Sequence, residues 1–235
     1  DAMIVTTLMG GFGNQLFQYA AGRALALRTD RRLVLDATRL PAPAHRVLRP
    51  LVLPALPIPT LPILRRPGRR GTTTAPSRTA DRVQRIASKA LGRSRIVDPM
   101  DRDVLVDLST PPRPLAVLFG YWQSHRYFDG FEATLRTELM PDAPTGGRVA
   151  SNLAAAGTDD TILLHVRRGD YVTHPSTARS HGAQPERYFR AAAEIVAERC
   201  ERPVFLVLSD DPRWVAEHLH LDAPCHHVEL EGPLD

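Results

Sequence analysis

What most constrains this chain is the order of its first elements: a strand, a glycine turn, a helix and then another strand. Residues 3–8, "MIVTTL", are a β-rich apolar run stopped by Gly10 and Gly11. "NQLFQYAAGRALALR" follows, with Leu16, Tyr19, Ala20, Arg23, Ala24 and Leu27 at helical spacing. "RRLVLDA" (31–37) returns to strand composition and carries Asp36 near its end. Strands separated by a helix of this length run parallel, because the helix carries the chain back to the starting edge, whereas antiparallel neighbours need only a short turn. Parallel strands are covered by helices on their faces, so the fold class is α/β.

The same alternation resumes further on, after an interruption. Thirteen of the 21 prolines fall between Pro41 and Pro114, which rules out regular sheet or long helix over most of that interval. Residues 41–78, with "RRPGRR" at 65–70, read as a Pro/Arg-rich excursion, followed by a helix at about 80–91. "LAVLFGYWQ" (115–123) predicts a buried strand and 127–139 a helix, and "MPDAPTGG" (140–147) is the best linker. Beyond it come a helix to about 157, the buried strand "TILLHV" (161–166), and a polar loop to Gln184. A helix with Pro185 at its first position follows, then the apolar strand "PVFLVLSDD" (203–211) and the short helix "PRWVAEHL". These boundaries predict two doubly wound domains, 1–145 with the excursion and 146–235.

Composition narrows the function classes. Of the 30 basic residues only Lys89 is a lysine, a skew that marks a sequence-wide bias, so the net charge of +4 is poor evidence for nucleic acid. Cys200 and Cys225 are too few for a disulfide framework. The opening lacks a basic start, and Gly, Asn and Gln interrupt its apolar run, so it is neither a signal peptide nor a membrane span. The chain is expected to be soluble, and its start at Asp1 and its ending "LEGPLD" suggest a fragment.

Ligands of open α/β sheets sit beyond the carboxyl ends of the strands, so polar residues there carry the functional signal. The first group is "GGFGNQ" (10–15), whose glycines would let backbone N–H groups approach an anion at a helix start. Counted from Gly11, the dinucleotide fingerprint G-x-G-x-x-G has Leu16 in its third glycine's place, and the Gly-Lys-Ser/Thr of an ATP loop is missing. Asp36 stands where a dinucleotide enzyme would hold ribose, and a turn that merely caps the helix is the plainer alternative. The second group is "HVRRGDYV" (165–172). Strand alternation puts His165 and Arg167 on one face and Val166 and Arg168 on the other. A guanidinium is a permanently charged donor fork suited to phosphate oxygens, and Asp170 is within reach of Arg168 or of a substrate hydroxyl. A surface ion-pair cluster is the plainer alternative here, and "RGD" at a strand end is not an adhesion loop. The third group is Ser209 to Asp211, able to bind ribose or a metal, or to cap the helix at Pro212. "DRD" (101–103) has the form used by metal-dependent sugar-nucleotide enzymes but lacks an apolar strand before it, and "CHH" (225–227) fits no zinc module.

"GGFGNQLFQYA", "FGYWQSHRYF" (119–128), "HVRRGDYV" and "FLVLSDDPRWV" (205–215), in that order, resemble the family 11 glycosyltransferases, chiefly bacterial α-1,2-fucosyltransferases. The resemblance implies a GT-B-like fold of two Rossmann-like domains with GDP-fucose between them. It implies inverting transfer of fucose to a galactose 2-hydroxyl of an oligosaccharide acceptor, with neither metal nor other cofactor. In that scheme Arg167 holds the donor pyrophosphate, and His165 and Arg168 support the nucleotide site. Gly13, Asn14 and Gln15 face the same cleft, and Ser209 and Asp210 lie near the nucleotide. The fixed guanidinium would meet charge developing on the leaving GDP. Asp170 is the first candidate for general base and Asp36 the second. No nucleic-acid partner is implied, the expected location is the cytoplasm, and there is room for peripheral association at the inner face of the membrane. Family members continue into an Asn-Ser/Thr-x-Ser-Trp-Trp segment, so the resemblance implies that the second domain is partial in this chain, truncated at the C-terminus. Two rival readings are an NAD(P)-type oxidoreductase, opposed by Leu16, and a polyanion-binding module built on "RRPGRR", opposed by the lack of interleaved aromatics.

Overall fold

The computed structural model of the chain describes residues 2–40, 51–65, 93–99, 104–108, 114–141, 143–157, 160–180 and 182–228. Two compact units, Asp1–Pro141 and Asp142–Asp235, are each built on a sheet whose strand pairs all run parallel.

In the first unit β1 (Met3–Thr7) leads through the helix α1 (Phe12–Arg28) to β2 (Arg32–Asp36), as the opening pattern requires. The short β3 (Ile63–Leu64), then β4 (Arg93–Val97) and β5 (Leu115–Phe119) complete a sheet of order β3-β2-β1-β5-β4. A 3-10 turn (His125–Phe128) and α2 (Glu132–Glu138) stand where a single helix is expected over 127–139. Helix α1 lies so close to the sheet that a Cβ on Gly22 would collide with Thr6 Oγ1 and come within 3.1 Å of Leu33 Cδ1. Ile4, Leu8, Leu25, Leu35, Leu118 and Trp122 fill the core between them.

A buried polar link joins the two helices. Tyr19 O–H donates to Glu138 Oε2 at 2.6 Å, and Arg23 donates to Glu138 Oε1 through Nε (3.0 Å) and Nη2 (2.6 Å). Burial first, and then the Glu138 hydrogen bond, push the Tyr19 pKa far above its ordinary 10.0.

In the second unit α3 (Ala143–Ala156) precedes β6 (Thr161–Val166), and two short helices follow, α4 (Gly169–Thr173) and α5 (Pro175–Ser180). Then come α6 (Glu186–Ala197), β7 (Val204–Ser209), α7 (Pro212–His218) and β8 (Cys225–His227), giving the sheet order β6-β7-β8. Val166, Phe205 and Val207 pack on Phe189 and Ala193 of α6 and Val215 of α7.

Several expectations need correction. Helix α3 begins at Ala143, inside the stretch read as a linker, and α4 and α5 occupy the stretch read as a polar loop. Strand β6 is only half a core strand: Ile162, Leu164 and Val166 face the cluster around Phe189 and Ala193, whereas Leu163, on the other face, is 63% exposed. Pro185 is the N-cap of α6 rather than its first residue. Strands β4 and β8 were not expected at all; their polar compositions, "RSRIV" and "CHH", hide edge strands. The helix expected at 80–91 and most of the 41–78 excursion lie outside the described residues. Among the described residues no helix is long and apolar enough to cross a membrane.

Two outcomes follow from this packing. Gly22→Ala would ordinarily stabilise a helix interior by up to about 1 kcal/mol, but here the overpacking cost of roughly 1–3 kcal/mol wins; urea unfolding should show a net loss. Tyr19 stays protonated in the fold above about pH 10 while the unfolded chain ionises, so stability present below that pH is lost as pH rises. Tyr19→Phe should flatten the alkaline fall of the urea midpoint.

Candidate functional site

Two glutamine amides organise the carboxyl end of the first sheet. Gln15 is fully buried: its Nε2 donates to Gly10 O at 3.4 Å and its Oε1 accepts from Val52 N at 3.3 Å. Gln18, one turn further, accepts from Met9 N through Oε1 at 3.0 Å and donates through Nε2 to Gly120 O at 3.1 Å. The turn after β1 is thereby tied to the segment after β5, joining two motifs about a hundred residues apart in sequence. Asp98 fixes that second segment, its Oδ2 accepting from Tyr121 N (3.0 Å) and Trp122 N (2.7 Å). Gly10 (φ +77°) makes the left-handed turn that starts the link. At the surface Gln123 Nε2 donates to Asn14 Oδ1 at 2.7 Å, and Gly13 is exposed beside open space. Of the three residues expected to face a ligand, Gly13 and Asn14 are accessible; Gln15 is an internal tie of the turn.

The second sheet places the arginine pair. As alternation requires, Val166 is buried and Arg167 and Arg168 part ways, their side chains 47% and 16% exposed. The Arg168 guanidinium lies 3.9 Å from the Trp214 ring centroid and donates from Nε to Asp211 Oδ2 at 3.3 Å. Its backbone N–H donates to Asp210 Oδ1 at 2.7 Å. A Cβ on Gly169 would approach the other Asp210 oxygen to 2.7 Å, so this turn has no room for a side chain there.

Behind it, Ser209 Oγ donates to Val166 O at 2.7 Å and accepts from Asp211 N at 3.0 Å. Asp211 Oδ1 caps α7 by accepting from Trp214 N at 3.2 Å. "SDD" is therefore the bracket of the arginine turn, and the capping alternative holds for Asp211.

Arg167 points to the open side with a different escort. Its Nη2 donates to Asp170 Oδ1 at 3.0 Å and its guanidinium sits 4.8 Å from the Tyr171 ring centroid. Burial disfavours its charge, but the Asp170 hydrogen bond and the charges of Asp170, Tyr171 and Asp210 outweigh this and raise its pKa above the ordinary arginine value. Asp170, expected within reach of Arg168, holds Arg167 instead. His165 is exposed on the same side of β6. Asp36 belongs to the first unit, where its Oδ1 accepts from Thr38 N (3.0 Å) and Thr38 Oγ1 (2.6 Å) in a tight turn. "DRD" lies outside the described residues.

The sequence reading missed Gln18, Asp98, Gln123 and Trp214. Only position could have singled them out: Gln18 lies one turn beyond Gln15, and Trp214 lies within the first turn of α7, facing back to the strand end.

The family model described as Glycosyl transferase family 11 matches residues 103–231. An alpha-1,2-colitosyltransferase of Escherichia coli is 26% identical over 92% of this chain and 72% of its own length. A galactoside alpha-(1,2)-fucosyltransferase 1 of Homo sapiens is 27% identical over 89% of this chain, which spans 51% of that relative. Among solved structures, the fucosyltransferase NodZ from Bradyrhizobium aligns with a TM-score of 0.51 and 14% identity, over 98% of this chain and 79% of that one. At that identity the likeness is one of fold, α/β and GT-B-like.

The bracket can be tested without any ligand. Asp210→Ala should speed hydrogen exchange of the Arg168 amide by about 10- to 100-fold, the loss of a partly buried acceptor worth roughly 1–3 kcal/mol. Asp210→Asn, which keeps the accepting oxygen, should retain most of the protection.

Proposed function

Since the chain belongs to glycosyl transferase family 11, we propose that it transfers fucose from GDP-fucose to the 2-hydroxyl of a galactose in a glycan acceptor, with inversion. The observation that carries the proposal is Arg167: a cation at the carboxyl end of β6, partly exposed, oriented by Asp170 and Tyr171 on a turn that Asp210 anchors. The names of the relatives above, both α-1,2-transferases, support the linkage.

In this mechanism the donor diphosphate binds the Arg167 fork. As the acceptor hydroxyl attacks the anomeric carbon, its proton passing to a base for which Asp170 is the candidate, the bond to GDP breaks and negative charge grows on the diphosphate beside a guanidinium already in place. Preorganisation makes the contact more favourable in the transition state than a mobile cation would, because little reorientation remains. Arg168, half-buried between Asp211 and Trp214, holds the turn in shape. Asp170 acts first as the orienting partner of Arg167 and only secondarily as a candidate base. Gly13 and Asn14 are assigned to the substrate-facing surface of the first unit; Gln15, Ser209 and Asp210 act from behind. His165 is assigned to the donor side through its place on the exposed face of β6. The location we propose for the reaction is the cytoplasm. Because one relative is by name a colitosyltransferase, GDP-colitose is the competing donor to assay.

Calorimetric titration with GDP tests the assignment. Arg167→Ala should weaken GDP binding by about 10- to 100-fold, the worth of a charge-assisted hydrogen bond; unchanged affinity would refute it. Asp170→Asn separates the two roles of that carboxylate. An orienting role raises the donor KM and leaves the acidic limb of the kcat/KM profile in place, whereas a general base would take that limb with it.

A further inference from the structure

Resting on the transferase reading above, we infer that Gln123 and Asn14 form a subsite for the hydroxyl groups of the acceptor sugar. The observation that points there is backbone strain. Trp122, the residue before Gln123, sits at φ +56°, a region that a bulky side chain enters only at a cost. Among the described residues its buried indole Nε1–H has no hydrogen-bond partner, a second cost at the same residue. The bend is held against both. Asp98 accepts from the amides of Tyr121 and Trp122, Gln18 donates to the Gly120 carbonyl, and the Tyr127 ring meets the Trp122 ring edge-on at 5.1 Å.

Strain that several contacts enforce in this way is a mark of functional positions. Here the bend delivers Gln123 onto Asn14 at 2.7 Å, on the surface beyond the carboxyl ends of the neighbouring strands β1 and β5. That edge is where parallel sheets bind ligands.

The chemistry of the pair selects the ligand. One amide clasped by another has a fixed plane. After its bond to Asn14, Gln123 keeps a carbonyl oxygen and a second N–H, an acceptor and a donor side by side. Each hydroxyl of a pyranose both donates and accepts, so two neighbouring hydroxyls fit that arrangement, whereas a phosphate would call for guanidinium. The subsite belongs wholly to the first unit, and Gln123 is exposed, so its replacement leaves the core intact.

The test uses lactose as acceptor and GDP-fucose as donor, with separate calorimetric titrations of lactose and GDP. Gln123→Ala should raise the lactose KM and Kd by about 3- to 10-fold, as expected for one or two neutral hydrogen bonds. GDP affinity and melting temperature should stay as in the parent. Gln123→Glu, of the same size but without the donor, should move the lactose constants the same way. If both variants bind and use lactose as the parent does while GDP still binds, the subsite is refuted and the transferase reading stands. If the parent chain does not bind GDP, the transferase reading fails first, and this inference with it.

Discussion

The hydrogen bond from the Arg168 amide to Asp210 is the contact on which the second unit's site depends. It fastens the turn after β6 to the turn after β7, so the two strand ends are fixed to each other as well as through the sheet. Ser209 repeats the link one step back, on the Val166 carbonyl. With the turn held, the two neighbouring guanidiniums point in different directions: one is braced inward by Asp211 and Trp214, and the other is offered outward beside Asp170 and Tyr171. Without the bracket, two like charges in adjacent positions would drift apart into solvent, where each loses its definite direction.

The first unit solves the same problem with two amides and one carboxylate. Gln15 and Gln18 satisfy backbone groups that the sharp turn after β1 leaves without partners, and Asp98 does so for the bend after β5. These buried side chains cost little because each meets backbone groups, Gln18 and Asp98 at ordinary distances and Gln15 through longer bonds of 3.3 and 3.4 Å. In both units the conspicuous motif residues are therefore divided between a small number that face outward and a larger number that hold those in place.

That division explains what could and could not be read in the sequence. Periodicity and the glycine turn were enough for β1, α1 and β2, for β6 and β7, and hence for parallel sheets, since hydrophobic spacing is a local property. Strand alternation separated Arg167 from Arg168 correctly. The roles within "SDD" and "GNQ" were not legible, because whether a polar side chain faces a ligand or its own backbone depends on a partner far away in sequence, such as Val52 for Gln15 or Arg168 for Asp210. Composition concealed β4 and β8, where edge positions accept polar residues that a central strand would refuse. Four ordered motifs spread along the chain made the family legible where no single motif would have sufficed.

The chain has two tryptophans, and they fall one to each unit. Trp122 is sealed in the first core against Tyr127, while Trp214 lies against the Arg168 guanidinium and stacks on His218 at 5.1 Å and 8°. The molecule thus carries two built-in fluorophores in different environments, one buried with its amide on the Asp98 carboxylate, the other next to a guanidinium and an imidazole ring. Emission from the first follows the integrity of its core, and emission from the second follows the arginine turn, so one optical signal holds separable information on both units.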